Sequence, residues 1–273
     1  MPPPEEPVNP EEPVSSAPPA SRQQPGSKRS EKSRPSIFWV LAVLVIPLAS
    51  LLARFKITDA EKLPRHGAYI ISPNHYSEID PVMMGMVVWK LGRLPRFLAK
   101  ESVFRVPVVG WFLRKSGQVP VARGGSGRGS APLDDAQKII EDGKVVVIYP
   151  EGSLTRDPDM WPMRGKTGAA RMALEHDIPV IPMAHWGTQQ VMARYAKKVS
   201  FFPRKTIQVK VGDPVDLSAF RGRSLDQSTL TEATDVIMNA ITALLADLRG
   251  EKAPEARWDP SAHNQKETGR FDG

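Results

Sequence analysis

Short apolar runs alternate with longer amphipathic stretches from about residue 58 onward. The runs are rich in β-branched residues and predict strands, whereas apolar positions spaced three and four residues apart predict helices. The predicted strands cover residues 68–72, 96–99, 118–121, 144–149, 180–184 and 206–211, and the predicted helices cover 80–91, 102–115, 132–141, 165–175 and 228–248. This alternation predicts an α/β fold: a single domain with a mostly parallel or mixed sheet flanked by helices.

The longest apolar stretch lies ahead of this domain. Nineteen residues between Arg34 and Arg54 carry no charge, which is at the short edge of the roughly 17–25 residues that a membrane-crossing helix needs. Pro47 is expected to kink or split a helix there. Four basic residues at 28–34 precede the stretch, and they would lie outside if it spanned the membrane below a cytosolic domain, against the positive-inside tendency. The sequence therefore favours a hydrophobic membrane-anchoring helix that enters the bilayer and returns, with a spanning helix as the alternative.

The two ends of the chain differ in composition from its middle. The first 35 residues hold ten of the 27 prolines and few apolar side chains, so they cannot bury enough apolar surface to fold. We expect four regions: a disordered Pro-rich tail at 1–35, a hydrophobic membrane anchor at 36–56, one folded domain at 57–249 and a polar C-terminal tail at 250–273.

The charge and the cysteine content narrow the function classes. The chain has 37 Lys and Arg against 30 Asp and Glu, a net charge of +7. This balance is typical of a protein that binds a polyanion, either a nucleic acid or an anionic lipid surface. The net charge alone does not distinguish between these two partners. The absence of cysteine excludes disulfides, thiolate catalysis and cysteine-ligated zinc. His176, His185 and His263 show no metal-ligand spacing, so we expect no catalytic metal.

A candidate catalytic pair follows the first predicted strand. The sequence NHYSEID at 74–80 sets His75 five residues ahead of Asp80. On a loop that leaves a sheet edge, the carboxylate can hold one ring nitrogen and leave the other free to take a proton from an alcohol. The alternative is a capping aspartate after a surface histidine. The catalytic interpretation of the pair therefore depends on the motifs that follow it.

Three more clusters come at predicted strand ends, where active sites of open α/β sheets collect. They are QVPVAR at 118–123, VVVIYPEGSLTR at 145–156 and IPVIPMA at 178–184. Arg123 and Arg156 offer planar forks that suit a phosphate. Gly152 lets the backbone approach closely, Ser153 adds a hydroxyl donor, and Lys100 adds a point charge. A base beside such a cluster suggests acyl transfer to a phosphorylated alcohol.

The order and content of these motifs resemble the glycerolipid acyltransferase family, most closely the 1-acylglycerol-3-phosphate acyltransferases. In that family an HX4D motif holds the catalytic pair, a later arginine and an EGTR-type motif bind the acceptor phosphate, and a VPVVP-like strand shapes the acyl site. The resemblance covers about residues 36–215. It implies His75 and Asp80 as the catalytic pair, Arg123 in the second motif, Glu151, Gly152 and Arg156 in the third, and residues 178–182 as the fourth.

The chain departs from the family pattern in two motifs. Residues 120–123 read PVAR where the family has a sequence like FIDR, so only Arg123 carries over. The third motif has more residues between Gly152 and Arg156 than EGTR has. The phosphate role of Arg156 therefore has weaker support than the role of His75.

The resemblance implies an acyltransferase domain at 57–249 that moves a fatty acyl group from acyl-CoA, or from acyl carrier protein, to the hydroxyl of lysophosphatidate. The product would be phosphatidate, a step of phospholipid biosynthesis, and no cofactor beyond the co-substrate is expected. The expected partners are the lipid bilayer and both substrates, with no nucleic acid, and the expected location is the cell membrane with the domain on the cytoplasmic side. The alternatives are another lysolipid or glycerol 3-phosphate as acceptor, or a non-enzymatic basic protein that binds membrane surfaces.

Overall fold

The structure is a computed structural model, and it describes residue 32 and residues 36–121 and 138–266. Its helices are α1 (Ile37–Leu52), α2 (Asp80–Lys90), α3 (Pro107–Lys115), α4 (Gly168–His176), α5 (Thr188–Val191) and α6 (Gln227–Arg249). Its strands are β1 (Ala53–Thr58), β2 (Tyr69–Pro73), β3 (Leu98–Lys100), β4 (Val119–Val121), β5 (Val145–Val147), β6 (Val180–Trp186) and β7 (Lys205–Val211). Short 3-10 turns occupy Ala60–Lys62, Glu101–Arg105, Ser218–Phe220 and Pro260–His263.

Five strands form a mixed sheet in the order β1-β7-β6-β2-β5. Strands β6, β2 and β5 run parallel, β7 runs antiparallel to β6, and β1 runs parallel to β7. Strands β3 and β4 form a second parallel pair, and a parallel bridge between Phe97 and Val147 connects it to β5. The carboxyl ends of β2 to β6 therefore meet at one edge, which we call the catalytic edge. The predicted α/β class with a mixed sheet is confirmed.

Helices cover both faces of the sheet. Successive residues of a strand point to opposite faces, so Tyr69 and Ile71 join a core with α2, whereas Ile70 joins a second core with α4 and α6. Met83 and Met84 of α2 are fully buried in the first core. The result is three layers, helix on sheet on helix, which leaves the strand ends free to carry polar side chains.

Local signals in the sequence account for the bounds of the longest helix. Asp226 accepts a hydrogen bond from the backbone N–H of Thr229 at 2.9 Å, which satisfies one of the free donors at the start of α6. Gly250 ends this helix with a φ of 64°, a left-handed conformation that costs glycine little.

The N-terminal apolar region differs from its prediction at its carboxyl end. Helix α1 ends at Leu52, and the next residues form edge strand β1, so residues 53–56 belong to the sheet and not to the hydrophobic segment at 36–56. The reason is the alternation of exposed Arg54 and Lys56 with half-buried Phe55 and Ile57, which is strand periodicity.

Pro47 does not split α1, which continues from Ile37 to Leu52 around it. Among the described residues, none of the helices combines the length and the apolar character needed to cross a bilayer.

The predicted helix at 102–115 is interrupted near Pro107. It divides into the turn Glu101–Arg105 and helix α3, because Pro107 occupies the first turn of α3 and Val106 before it is extended.

The C-terminal segment differs from the predicted tail at 250–273, because residues 251–266 pack on the domain. Arg257 donates to Asp235 at 2.6 Å and to Asn239, and Pro260 is buried.

Some predictions lie outside the described residues. They are most of the tail at 1–35, Arg123, the start of the helix at 132–141 and residues 267–273.

Candidate active site

The predicted catalytic pair lies at the catalytic edge. After β2 ends at Pro73, the chain turns so that Nδ1 of His75 lies 2.9 Å from Oδ2 of Asp80, the first residue of α2. The same carboxylate oxygen accepts the backbone N–H groups of Tyr76 and Ser77 at 2.9 and 2.8 Å. The side chain of Asp80 is fully buried, whereas that of His75 is 13% exposed. Because Nδ1 is bonded to the carboxylate, Nε2 is the nitrogen that remains for a substrate proton.

The electrostatic surroundings keep Asp80 ionised. Burial by itself would raise the pKa of this carboxyl, but the interactions with His185, His75 and Thr188 hold the pKa below its usual value. Thr188 donates its hydroxyl to Oδ1 of Asp80, and Nε2 of His185 lies 3.8 Å from Oδ2. A carboxylate that stays charged stabilises the imidazolium formed when His75 accepts a proton.

His185 joins the end of β6 to the loop that carries His75. Its ring Nε2 lies 2.8 Å from the backbone oxygen of Asn74, and its own backbone oxygen accepts the hydroxyl of Tyr76 at 2.6 Å. Because a carbonyl oxygen can only accept, Nε2–H of His185 is the donor to Asn74. Burial lowers the pKa of His185, partly opposed by the nearby Asp80 carboxylate, which raises it. The sequence motifs assign His185 no role, although its position at the end of a predicted strand was a signal that it could lie at this edge.

The third motif fixes the backbone of His75 from two sides. The backbone N–H of His75 donates to Oε1 of Glu151 at 2.8 Å, and the backbone N–H of Thr155 donates to the carbonyl of His75 at 2.7 Å. Oε2 of Glu151 accepts the N–H of Met163 at 3.1 Å. Gly152 has a φ of 70°, which lets the chain turn between these contacts. Glu151 therefore acts in this structure as a support for the histidine loop.

Two aromatic rings lead from His75 to an apolar groove. The ring of Tyr149 stacks on that of His75 with centroids 4.1 Å apart, and the ring of Phe97 stacks on that of Tyr149 with centroids 6.2 Å apart. Phe97 lines a groove of about 320 Å³ between α1, α2 and α3. Its other apolar lining residues include Leu41, Val45, Val82, Met86, Val109 and Phe112. Tyr149 thus connects the candidate base to Phe97, a residue that lines the groove.

The predicted cationic residues have different surroundings. Lys100 is exposed at the end of β3, where it pairs in register with Val121 of β4. Arg156 is only 3% exposed, and its guanidinium donates to the backbone oxygen of Lys266 and to the hydroxyl of Tyr195. Ser153 is buried, and its hydroxyl donates to the carbonyl of Leu154 at 3.3 Å. Phosphate binding by Arg123, Arg156, Ser153 and Lys100 stays a prediction.

Glu151 should give protein stability a distinctive pH dependence. Burial raises its pKa from the usual 4.5 to about 8. The folded protein then holds the proton more tightly than the unfolded chain does, so the free energy of unfolding should fall as the pH rises from about 4.5 to about 8. A Glu151→Gln variant should lose this component, which we expect to be a few kcal/mol over the window, and should be less stable than the native chain at the acidic end.

Denaturant unfolding at several pH values measures this dependence. The exposed Glu175, which pairs with Arg171 at 3.2 Å, provides the control, and Glu175→Gln should keep the native slope. Equal slopes for the native chain and Glu151→Gln would contradict the interpretation.

Comparison with known proteins agrees with this architecture. The sequence profile of the family described as Acyltransferase matches residues 54–186, just under half of the chain. The 1-acyl-sn-glycerol-3-phosphate acyltransferase of Bacillus subtilis (strain 168) is 26% identical over 176 residues, which are 63% of this chain and 79% of that protein. A chloroplastic 1-acyl-sn-glycerol-3-phosphate acyltransferase of Brassica napus is 29% identical over 119 residues, 44% of this chain but only 33% of the plant protein.

A solved structure shares the fold. The 1-acyl-sn-glycerophosphate acyltransferase PlsC from Thermotoga maritima superposes with a TM-score of 0.57 at 20% identity, over 79% of this chain and 81% of that one. The chain is similar to glycerolipid acyltransferases, and the resemblance stated from its motifs is confirmed.

Proposed function

We propose that this acyltransferase moves a fatty acyl group from a thioester, acyl-CoA or acyl carrier protein, to the free hydroxyl of 1-acylglycerol 3-phosphate. The observation that carries the proposal is the contact between Nδ1 of His75 and Oδ2 of Asp80, held at the catalytic edge by Glu151. This arrangement suits a general base, because it fixes the ring and leaves Nε2 free.

The reaction then needs one nucleophilic step. Nε2 of His75 takes the hydroxyl proton while the alcohol oxygen attacks the thioester carbonyl. The tetrahedral intermediate collapses, the carbon–sulfur bond breaks, and the imidazolium returns its proton to the leaving thiolate. Asp80 stabilises the imidazolium between these events. Neither an acyl-enzyme nor a metal cofactor has a part in this scheme.

The apolar groove supports a long acyl chain as part of the substrate. Its lining is almost entirely hydrophobic and includes Phe97, whose ring is linked to that of His75 through the stacked ring of Tyr149. An acyl chain buried there would leave water and direct its carbonyl toward the catalytic edge.

Helix α1 supports an attachment to the bilayer, where the lysolipid and the product reside. Its exposed side chains include Val43, Leu44, Leu48 and Leu51, an apolar surface of the kind that marks a membrane or protein contact. In the proposal the domain lies on the cytoplasmic side of the cell membrane, and the groove beside α1 opens toward the lipid.

A panel of acceptors tests the substrate. Purified protein with labelled acyl-CoA should acylate lysophosphatidate in mixed vesicles in preference to glycerol 3-phosphate, lysophosphatidylcholine and lysophosphatidylethanolamine. A preference for one of the other acceptors would keep the chemistry and replace the substrate. No transfer to any acceptor from acyl-CoA or acyl carrier protein would favour the non-enzymatic alternative.

Arg156 should contribute to the binding of the acceptor more than to the binding of the acyl donor. An Arg156→Ala variant should raise the KM for lysophosphatidate by about tenfold or more, because a charge-assisted contact to phosphate is lost, while the KM for acyl-CoA changes little. In the described conformation the guanidinium contacts Lys266 and Tyr195, so a phosphate would have to displace or share these partners.

Tyr195→Phe is the matched control for the structural contribution of this contact. It removes the hydroxyl partner of Arg156 but keeps the cation, so its KM for lysophosphatidate should stay near the native value. Equal KM increases for both substrates in Arg156→Ala would refute the phosphate role.

A further inference from the structure

Two phenylalanines stand out on the surface ahead of β7. Phe201 is 53% exposed and Phe202 is 89% exposed, although a large aromatic side chain normally gains free energy from burial. The loop that carries them is anchored to the domain. The N–H of Ser200 donates to the carbonyl of Val191 at 2.7 Å, and Val199 packs against the core. We call residues 197–204 the FF loop.

The charged side chains in the sequence around the FF loop are all basic. Residues 178–212 contain no Asp or Glu but six Lys and Arg. Four of these cations flank the two aromatic rings in sequence: Lys197, Lys198, Arg204 and Lys205. An apolar tip with cations beside it matches the layers of an anionic bilayer, in which phosphate groups lie above the acyl chains.

The FF loop also lies at the catalytic edge. Because β7 runs antiparallel to β6, its first residues lie beside the carboxyl end of β6. Lys205 pairs in register with Ala53, and Arg204 donates to the carbonyl of Ala53 at 3.2 Å. Ala53 directly follows α1, whose Leu48 and Leu51 are exposed. The loop, the apolar end of α1 and the candidate active site thus share one edge of the sheet.

We propose that the FF loop is a second membrane contact, in which Phe201 and Phe202 insert into the interface of an anionic bilayer and the flanking cations bind its headgroups. This inference deepens the proposed function, because it names the surface that holds the catalytic edge against the lipid. Two contacts, α1 and the loop, would fix the orientation of the domain on the bilayer as well as its attachment.

A single label tests insertion directly, since the chain has no cysteine. Phe202→Cys carries an environment-sensitive fluorophore, and the protein is mixed with vesicles of phosphatidylglycerol and phosphatidylcholine. We expect a blue-shifted emission that spin-labelled lipids quench. The control is the same label on Asp213→Cys. Asp213 follows β7 at the opposite edge of the sheet, so this label should keep the emission it has in water. An unchanged emission at position 202 on vesicles that bind the protein would overturn the proposal.

Charge removal provides an independent measurement. Lys198→Gln should lower the partition coefficient onto these vesicles by about fivefold, whereas Lys62→Gln, which removes the same charge at the opposite edge, should leave it unchanged. Equal effects of the two variants would overturn the headgroup contact. A blue shift at position 202 that follows protein concentration without vesicles would assign the loop to self-association and overturn the lipid assignment. Neither readout requires acyl transfer, so they can fail or succeed separately from the proposed reaction.

Discussion

Replacing His75 with alanine should lower kcat by about 10²–10⁴-fold. The substitution removes the only proposed base, while the backbone contacts of residue 75 with Glu151 and Thr155 can persist because they involve main-chain atoms of that residue. The loop should therefore stay in place, and the KM values for both substrates should change little. Steady-state acyl transfer by the purified variant, together with its unfolding midpoint, measures the effect.

His66 is the matched control for this experiment. It is exposed ahead of β2, and His66→Ala should keep the native kcat. A His75→Ala protein that is folded and transfers acyl groups at the native rate would remove the proposed base from the mechanism.

Replacing Asp80 with asparagine should lower kcat by about 10²-fold or more. An asparagine can keep most of the hydrogen bonds if its amide oxygen faces Tyr76 and Ser77 and its nitrogen faces the hydroxyl of Thr188. The variant then removes the negative charge that stabilises imidazolium at His75, so the loss of rate reports on charge rather than on position. The measurement is kcat at a temperature well below the unfolding midpoint.

Thr188→Val separates the two contributions of the network around Asp80. It removes the hydroxyl bond to Oδ1 but leaves the charge and the contact with His75, so its loss of kcat should be smaller than that of Asp80→Asn. A larger loss in Thr188→Val would show that the orientation of Asp80, and not its charge, dominates.

Patterns along the chain predicted the class of fold and the pair at its centre. The β-branched runs correspond to β2 to β7, and the spacing of His75 and Asp80 brings their side chains into contact, because the loop after β2 leads directly into α2. These features depend on residues that are close together in the chain, so they can be predicted from the sequence. Strand β1 was missed because its first residue continues an apolar run, and the alternation that marks a strand starts only at Arg54.

The rest of the site depends on strand pairing, which periodicity does not specify. Thr188 and His185 reach Asp80 only because β6 lies beside β2 in the sheet. The contact of Arg156 with Lys266 joins residues that are 110 positions apart in the chain. Arg123 lies outside the described residues, and its role remains a prediction from the family resemblance.

The most direct test of the proposed reaction is the stoichiometry of thiol release. Because the chain has no cysteine, a thiol reagent detects CoA without a background from the protein. With acyl-CoA and lysophosphatidate in vesicles, we expect one thiol released for each phosphatidate formed, and no release above the uncatalysed rate without an acceptor. Rapid thiol release in the absence of any acceptor, or phosphatidate formation that does not depend on His75, would contradict direct transfer by this base.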